Sequence, residues 1–228
     1  MVKSGLIYPF GMGFWGPNGH DGVWHIALVN HLSRGSLDMP VFAGEQIKNY
    51  HLGFDAILAL LHVLTRIPAS VLYFQIVPPI LALLIGFLTY KFVHTWKGSK
   101  LQAFWATFFV YFGGNFGWII TLIRDFEVGG ESMFWAQQSA LTLINPPFAL
   151  SLVLLLAGLI VVLKLVRKYS ILNSIFLILL FGLLSPIKVY AGILGLAGLG
   201  VAGLLQLVRE RKIFLIIIGG LAGIISFS

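Results

Sequence analysis

The chain has 228 residues, of which 58% are apolar and only 10% are charged, with a net charge of +7 and no cysteine. A soluble domain usually carries about 25% charged residues. This composition therefore excludes an ordinary water-soluble protein and predicts a polytopic membrane protein, while the lack of cysteine excludes disulfides and thiolate metal sites. The basic residues cluster between apolar runs, as in cytoplasmic loops, so we expect no nucleic-acid partner.

Residues 1–66 differ from the rest of the sequence and are predicted to form a loop domain with short helices on the outer face of the membrane. The first 51 residues hold three of the eight acidic residues and four of the six histidines. An apolar pattern of helical spacing predicts a helix from Gly22 to Ser33, with Asp21 at its N-cap. A second helix, from Asp55 to Arg66, is too short to span a bilayer and is predicted to lie at the interface.

Apolar stretches after residue 66 predict a transmembrane helix bundle over residues 67–228, and the fold class is therefore all-α. About six of these stretches are long enough to be candidate spans. They run from Ser70 to Phe92, Leu101 to Ile123, Pro147 to Leu163, Ile171 to Ile187, Val189 to Leu207, and Ile213 to the C-terminus, where the last span is truncated at Ser228.

Charges in the connecting loops predict the orientation of the bundle. Lysine and arginine cluster around Lys97, Lys168 and Arg211, and the positive-inside rule places these three loops in the cytoplasm. Residues 1–66, the loop 124–146 and the turn at Lys188 then lie on the outer face. An outer N-terminal region needs a preceding spanning helix, so we expect the chain to be an internal portion of a larger membrane protein; the alternative is a short protein whose N-terminus lies outside.

A dense group of polar side chains begins the outer loop, in the segment from His20 to His25. Asp21 and His25 are four residues apart and share a helix face. A carboxylate beside an imidazole can act as a general base or hold a divalent cation. The alternative is that Asp21 only caps the helix, and residue types alone favour capping over catalysis.

Two further positions offer polar groups on the same side of the membrane. Tyr50 and His51 can face back towards Asp21, although Asn49 would equally cap a helix that begins near Tyr50. Lys188 interrupts a long apolar stretch, where it either snorkels to the interface or pairs with a lipid-linked phosphate.

Other polar residues carry weaker signals. Asp55 is costly in lipid and should face protein or the water boundary, and a purely structural role is one interpretation of it. The candidate metal ligands are Asp21, His25 and His51. These residues lack the tight spacing of zinc sites, and whether they bind a metal ion stays open.

These segments resemble the GT-C superfamily of polytopic membrane glycosyltransferases, in particular the protein-mannosyltransferase and aminoarabinose-transferase-like group. The resemblance rests on HDGVWH around Asp21, on NYHLGFDAILALL, and on QQSALTLINPPFALSL and LLSPIKVYAGIL. It implies sugar transfer from a polyprenyl-phosphate donor to an acceptor on the outer face of a bacterial or archaeal plasma membrane, with inversion. Asp21 would be the catalytic carboxylate, and some members of the superfamily use a divalent cation. The implied substrate-binding residues are His20, His25, Tyr50, His51, Lys188 and Tyr190.

Two other classes of function remain open at this point. A transporter or channel module usually places ionisable residues near the bilayer midplane. Here the polar residues gather at the outer interface and the span interiors are nearly free of acids, which favours interfacial chemistry. A non-catalytic assembly subunit would share the outer loop without needing Asp21.

Overall fold

A computed structural model describes residues 6–13, 19–113, 117–126 and 142–227. This part of the chain is mostly helical, which confirms the predicted helical character. It begins with a small antiparallel hairpin that the sequence did not predict, formed by β1 (Ile7–Tyr8) and β2 (Gly11–Met12). Gly11 turns the hairpin with a φ of 128°, a conformation that glycine adopts without strain.

Two short helices precede the bundle. Helix α1 (Asp21–Leu32) agrees with the predicted helix to within one residue at each end, and α2 (Gly53–Thr65) begins two residues before and ends one residue before the bounds predicted for the second helix. The remaining helices are α3 (Ala69–Lys97), α4 (Lys100–Phe112), α5 (Gly117–Asp125), α6 (Pro146–Arg167), α7 (Ile171–Gly182), α8 (Leu184–Ile187), α9 (Val189–Glu210) and α10 (Phe214–Phe227).

Three of the described helices are long and apolar enough to cross a membrane: α3 with 29 residues, and α6 and α9 with 22 each. The segment Ile171–Ile187 and helix α10 are apolar but shorter. The predicted continuous span from Leu101 to Ile123 is wrong, because α4 ends at Phe112 and Gly113 has an extended backbone. The acidic residues Glu127 and Glu131 of the predicted outer loop lie outside the described residues.

Local sequence explains where several helices begin. Each of α4, α6 and α7 starts after a polar residue whose side chain accepts a hydrogen bond from a backbone amide of the first turn. Pro147 lies in the first turn of α6, as predicted, where its missing amide hydrogen costs nothing. The capping residues are Ser99, Asn145 and Ser170.

Helix α3 contains a π-helical turn at Leu72–Ile76. Pro78 and Pro79 follow it, and because proline has no amide hydrogen, regular α-helical pairing cannot continue through them. The turn holds Tyr73 in the interior, where its side chain is 1% exposed. Turns of this kind are frequent at functional sites.

The apolar core lies in three places. One cluster joins α1, α2 and the start of α3 around Phe54 and Tyr73. A second joins α6, α7, α9 and α10 around Leu177 and Phe181, and a third lies between α3 and α6. The first cluster attaches the polar N-terminal segment to the bundle.

Glycines of α9 allow a test of this packing. A Cβ atom on Gly192 would lie 2.7 Å from the Ser185 amide nitrogen, whereas one on Gly198 would have no neighbour within 4 Å. We expect Gly192→Ala to destabilise the protein by about 1–3 kcal/mol through overpacking. Gly198→Ala, on the same helix, should be neutral or stabilise it by up to ~1 kcal/mol. Thermal unfolding in detergent checks both, and equal melting temperatures would contradict this packing.

Candidate functional site

Three parts of the chain meet at one end of the bundle: α1, the segment leading into α2, and the turn between α8 and α9. Gly22 of α1 lies so close to the Phe74 ring that a Cβ atom would be 2.5 Å from it. A Cβ atom on Gly53, the first residue of α2, would be 2.8 Å from the Pro186 carbonyl oxygen. Glycine at these positions permits the close approach that gathers the polar side chains described below.

Asp21 is the first residue of α1 and its carboxylate is 46% exposed. The predicted N-cap role is wrong. His20 occupies the cap position with a helical backbone, and no side chain caps the helix. The Asp21 carboxylate turns instead towards the exposed His20 ring, 3.0 Å from its Nδ1. Its negative charge is therefore accessible from solvent.

The spacing of Asp21 and His25 suggests that their side chains pair, but in the structure they do not. The His25 ring is buried, and its Nδ1 lies 2.8 Å from Oδ1 of Asp55 on α2. The ring stacks on Tyr73 at 5.5 Å and meets Phe54 edge-on. Because His25 is enclosed by α2 and α3, its predicted direct contact with substrate is not supported by this geometry.

The sequence did not predict Asp55 as the partner of His25. The Asp55 side chain is 0% exposed, and its Oδ2 is buried without a hydrogen-bond partner among the described residues. Burial raises the pKa of the carboxyl, and the hydrogen bond and charge of His25 oppose that rise. The available signal was an aspartate at the start of an otherwise apolar helix, which must face protein.

Tyr50 contacts α1, and His51 packs against Tyr50. The Trp24 indole Nε1 donates a hydrogen bond of 2.9 Å to the Tyr50 hydroxyl, and the Tyr50 and His51 rings stack at 4.4 Å. His51 Nε2 is buried without a partner in the described part of the chain. Burial lowers the pKa of His51, and Lys188 and His25 lower it further.

The alternative reading of Asn49 as a helix cap is wrong. Helix α2 begins four residues later, at Gly53, and its cap position is occupied by Leu52. Asn49 has a φ of 54°, in the left-handed region that asparagine tolerates better than most residues. It turns the chain so that Tyr50 and His51 can pack against α1.

Lys188 lies in the extended turn between α8 and α9, with its Nζ 5.6 Å from the centre of the Tyr190 ring. Burial lowers the pKa of Lys188, and the charges of Asp21 and then Asp55 oppose this. No carboxylate of the described residues lies within salt-bridge distance of it. The ammonium group is thus half-buried and has no salt-bridge partner among the described carboxylates.

An open groove of about 500 Å³ lies beside this turn. Its polar wall includes His51 and the hydroxyls of Ser185 and Ser226, which are 2.6 Å apart, and its apolar wall includes Pro186 and Phe227. A groove with both kinds of wall suits a molecule that has a polar head and an apolar tail.

The three candidate metal ligands do not form a metal site. Among the described residues, no group of three histidine or acidic side chains is arranged to hold a metal ion. His25 is engaged by Asp55, and Asp21 by His20. The donor set therefore does not fit a divalent cation, and no step of the chemistry below uses one.

Comparison with protein-family models, curated proteins and solved structures finds no match to this chain.

Proposed function

We propose that the chain forms the site of a membrane glycosyltransferase, of the GT-C kind that its motifs resemble, which uses a polyprenyl-phosphate sugar donor. The observation that carries this proposal is that two segments pack against α2: α1, which begins with the accessible carboxylate of Asp21, and the segment that leads to the half-buried ammonium of Lys188. The two groups interact electrostatically although they are far apart in sequence. They lie at the junction between a polar loop region and a bundle that contains span-length helices.

Lys188 supports the donor side of this proposal. A phosphate bound there would gain a charge-assisted hydrogen bond from an ammonium group that has no salt-bridge partner among the described carboxylates. The adjacent groove would receive the lipid chain along its apolar wall. His51 lines this groove and Tyr190 lies beside Lys188, and both would contact the phosphate or the sugar.

Asp21 supports the acceptor side. A hydroxyl is a weak nucleophile, and a positioned carboxylate activates it by accepting its proton. The hydroxyl oxygen would attack the anomeric carbon as this proton passes to Asp21. The bond from the anomeric carbon to the phosphate oxygen then breaks, and its electron pair stays on the lipid phosphate. Lys188 would offset the charge that develops there.

The interior of the bundle fits this proposal better than transport. Transporters usually place ionisable residues within their spans. In the described parts of α3, α6 and α9 the buried polar side chains are uncharged: Thr89, Ser151 and Gln206. The buried ionisable side chains of the described residues, His25 and Asp55, lie outside these three helices.

The proposed function is tested by supplying membranes that contain the protein with polyprenyl-phosphate sugars. We expect release of free polyprenyl phosphate together with a glycosylated acceptor. Membranes without the protein are the control. Movement of the donor or its sugar across the membrane without cleavage would instead indicate a transporter.

The proposed orientation gives a second prediction. The chain has no native cysteine, so an introduced cysteine is its only thiol. Leu37→Cys, at a side chain that is 54% exposed in the outer loop, should react with an impermeant maleimide in intact cells. Lys100→Cys, in a basic loop, should react only after the cells are opened. The reverse pattern would invert the orientation.

Loss of the Lys188 charge gives a third prediction. Since burial lowers the pKa of Lys188 from 10.5, its ammonium should lose its proton below the usual range for lysine. Donor affinity should therefore fall as pH rises towards that range. In Lys188→Arg the fall should move to higher pH, because a guanidinium stays charged. Donor KM measured against pH checks this, and an unmoved profile would assign the titration to another group.

A further inference from the structure

Two hydrogen bonds join the helix that carries Asp21 to the rest of the site: Trp24 to Tyr50, which is partly buried, and His25 to Asp55, which is buried. His25 lies one turn after Asp21 on α1, and its ring bonds to Asp55 in the first turn of α2. These two side chains are 5% and 0% exposed. Gly22, in the same part of α1, packs against the apolar ring of Phe74.

The same helix α2 contacts the segment that holds Lys188. Its first residue, Gly53, packs directly against the backbone of Pro186, two residues before Lys188. A continuous set of contacts therefore runs from Asp21 through His25, Asp55 and the start of α2 to the turn at Lys188. The His25–Asp55 bond is the polar, directional contact within it.

We infer that Asp55 is a positioning residue, which acts through His25 to set the place of Asp21 relative to Lys188. This role rests on the proposed function, in which those two charged groups act on one substrate pair. A carboxylate that accepts from a histidine Nδ1 fixes both the tautomer and the orientation of the ring. Fixing the ring of His25 in turn fixes the rotation of α1 and the direction in which Asp21 points.

Stability alone is a poor explanation for this pair. A buried pair of polar residues is often no more stabilising than apolar residues of the same volume. Here Asp55 even keeps one buried oxygen without a partner among the described residues. Apolar residues in place of His25 and Asp55 would fill the same space but would lack the directional hydrogen bond between them.

The test uses cross-linking, which needs no assumption about activity. Cysteines at Asp21 and Lys188 would be linked by a short bifunctional thiol reagent in membranes, with Asp55 intact or replaced. A control pair at the other end of the bundle would have cysteines at Thr95 and Arg167, where the arginine donates to the Thr95 carbonyl. The absence of native cysteine makes both pairs unambiguous.

We expect Asp55→Ala to slow linking of the first pair by about tenfold and to leave the control pair unchanged, since a buried polar partner is lost. Asp55→Asn keeps an oxygen that accepts from His25 and should restore most of the linking. In the protein with Asp21 and Lys188 intact, Asp55→Ala should lower kcat more than it raises donor KM.

Unchanged linking in Asp55→Ala would overturn the inference, and so would equal loss at both pairs, which would make the bond a general stabiliser. Failure of Asp55→Asn to restore linking would also overturn it. These outcomes are independent of whether the protein transfers sugar. If cross-linking behaves as expected in the Asp55 variants but the protein transfers no sugar, the proposed function is contradicted and the positioning role of Asp55 is not.

Discussion

Asp21→Asn is expected to lower the rate of sugar transfer by about 10²–10⁴-fold, the range that a positioned general base contributes. Asparagine keeps the size of the side chain but cannot accept the proton of the acceptor hydroxyl. Folding should survive, because the Asp21 side chain is exposed and caps no helix. The loss of a negative charge in the first turn of α1 costs at most about 1 kcal/mol. Transfer from a polyprenyl-phosphate sugar, at matched membrane expression, is the measurement.

Asp38→Asn is a matched control for this substitution. Asp38 lies in the same N-terminal region, is exposed, and accepts a hydrogen bond from the hydroxyl of Ser36. Its replacement should leave transfer unchanged. Wild-type turnover in Asp21→Asn would remove Asp21 from the chemistry and favour a transporter or an assembly subunit.

Lys188→Met is expected to weaken donor affinity by about 10- to 100-fold, because hydrogen bonds to charged groups contribute about 1.5–3 kcal/mol. Methionine keeps an unbranched apolar stem that can pack beside Tyr190, so the substitution removes mainly the charge. The acceptor KM should change much less than the donor KM. Steady-state kinetics with each substrate varied in turn separate the two effects.

Lys100→Met is the control at the opposite end of the bundle, where the lysine is exposed and basic neighbours surround it. It should leave both KM values unchanged. If Lys188→Met lowers expression while donor affinity stays the same, Lys188 is a snorkelling residue and does not bind phosphate.

The helices of the bundle could be predicted largely from local sequence. Long apolar runs place α3, α6 and α9, since burial of apolar side chains and satisfaction of backbone hydrogen bonds are both local requirements in a bilayer. Polar residues before α6 and α7 mark the starts of these helices. Hydropathy failed between residues 101 and 123, because an apolar composition does not show that the backbone leaves the helix at Gly113.

The sequence by itself determined which residue types the site contains: an accessible aspartate in HDGVWH, polar groups in NYH and a lysine in a break between apolar helices. Only the tertiary structure decided their partners. His25 pairs with Asp55 across two helices and not with Asp21 on its own helix. A buried imidazole needs a hydrogen-bond partner that is buried with it, because a buried polar group without a partner is destabilising. The segments that carry Asp21 and Lys188 both pack closely around α2 because glycines at positions 22 and 53 permit it, and helical periodicity carries no information about such approach.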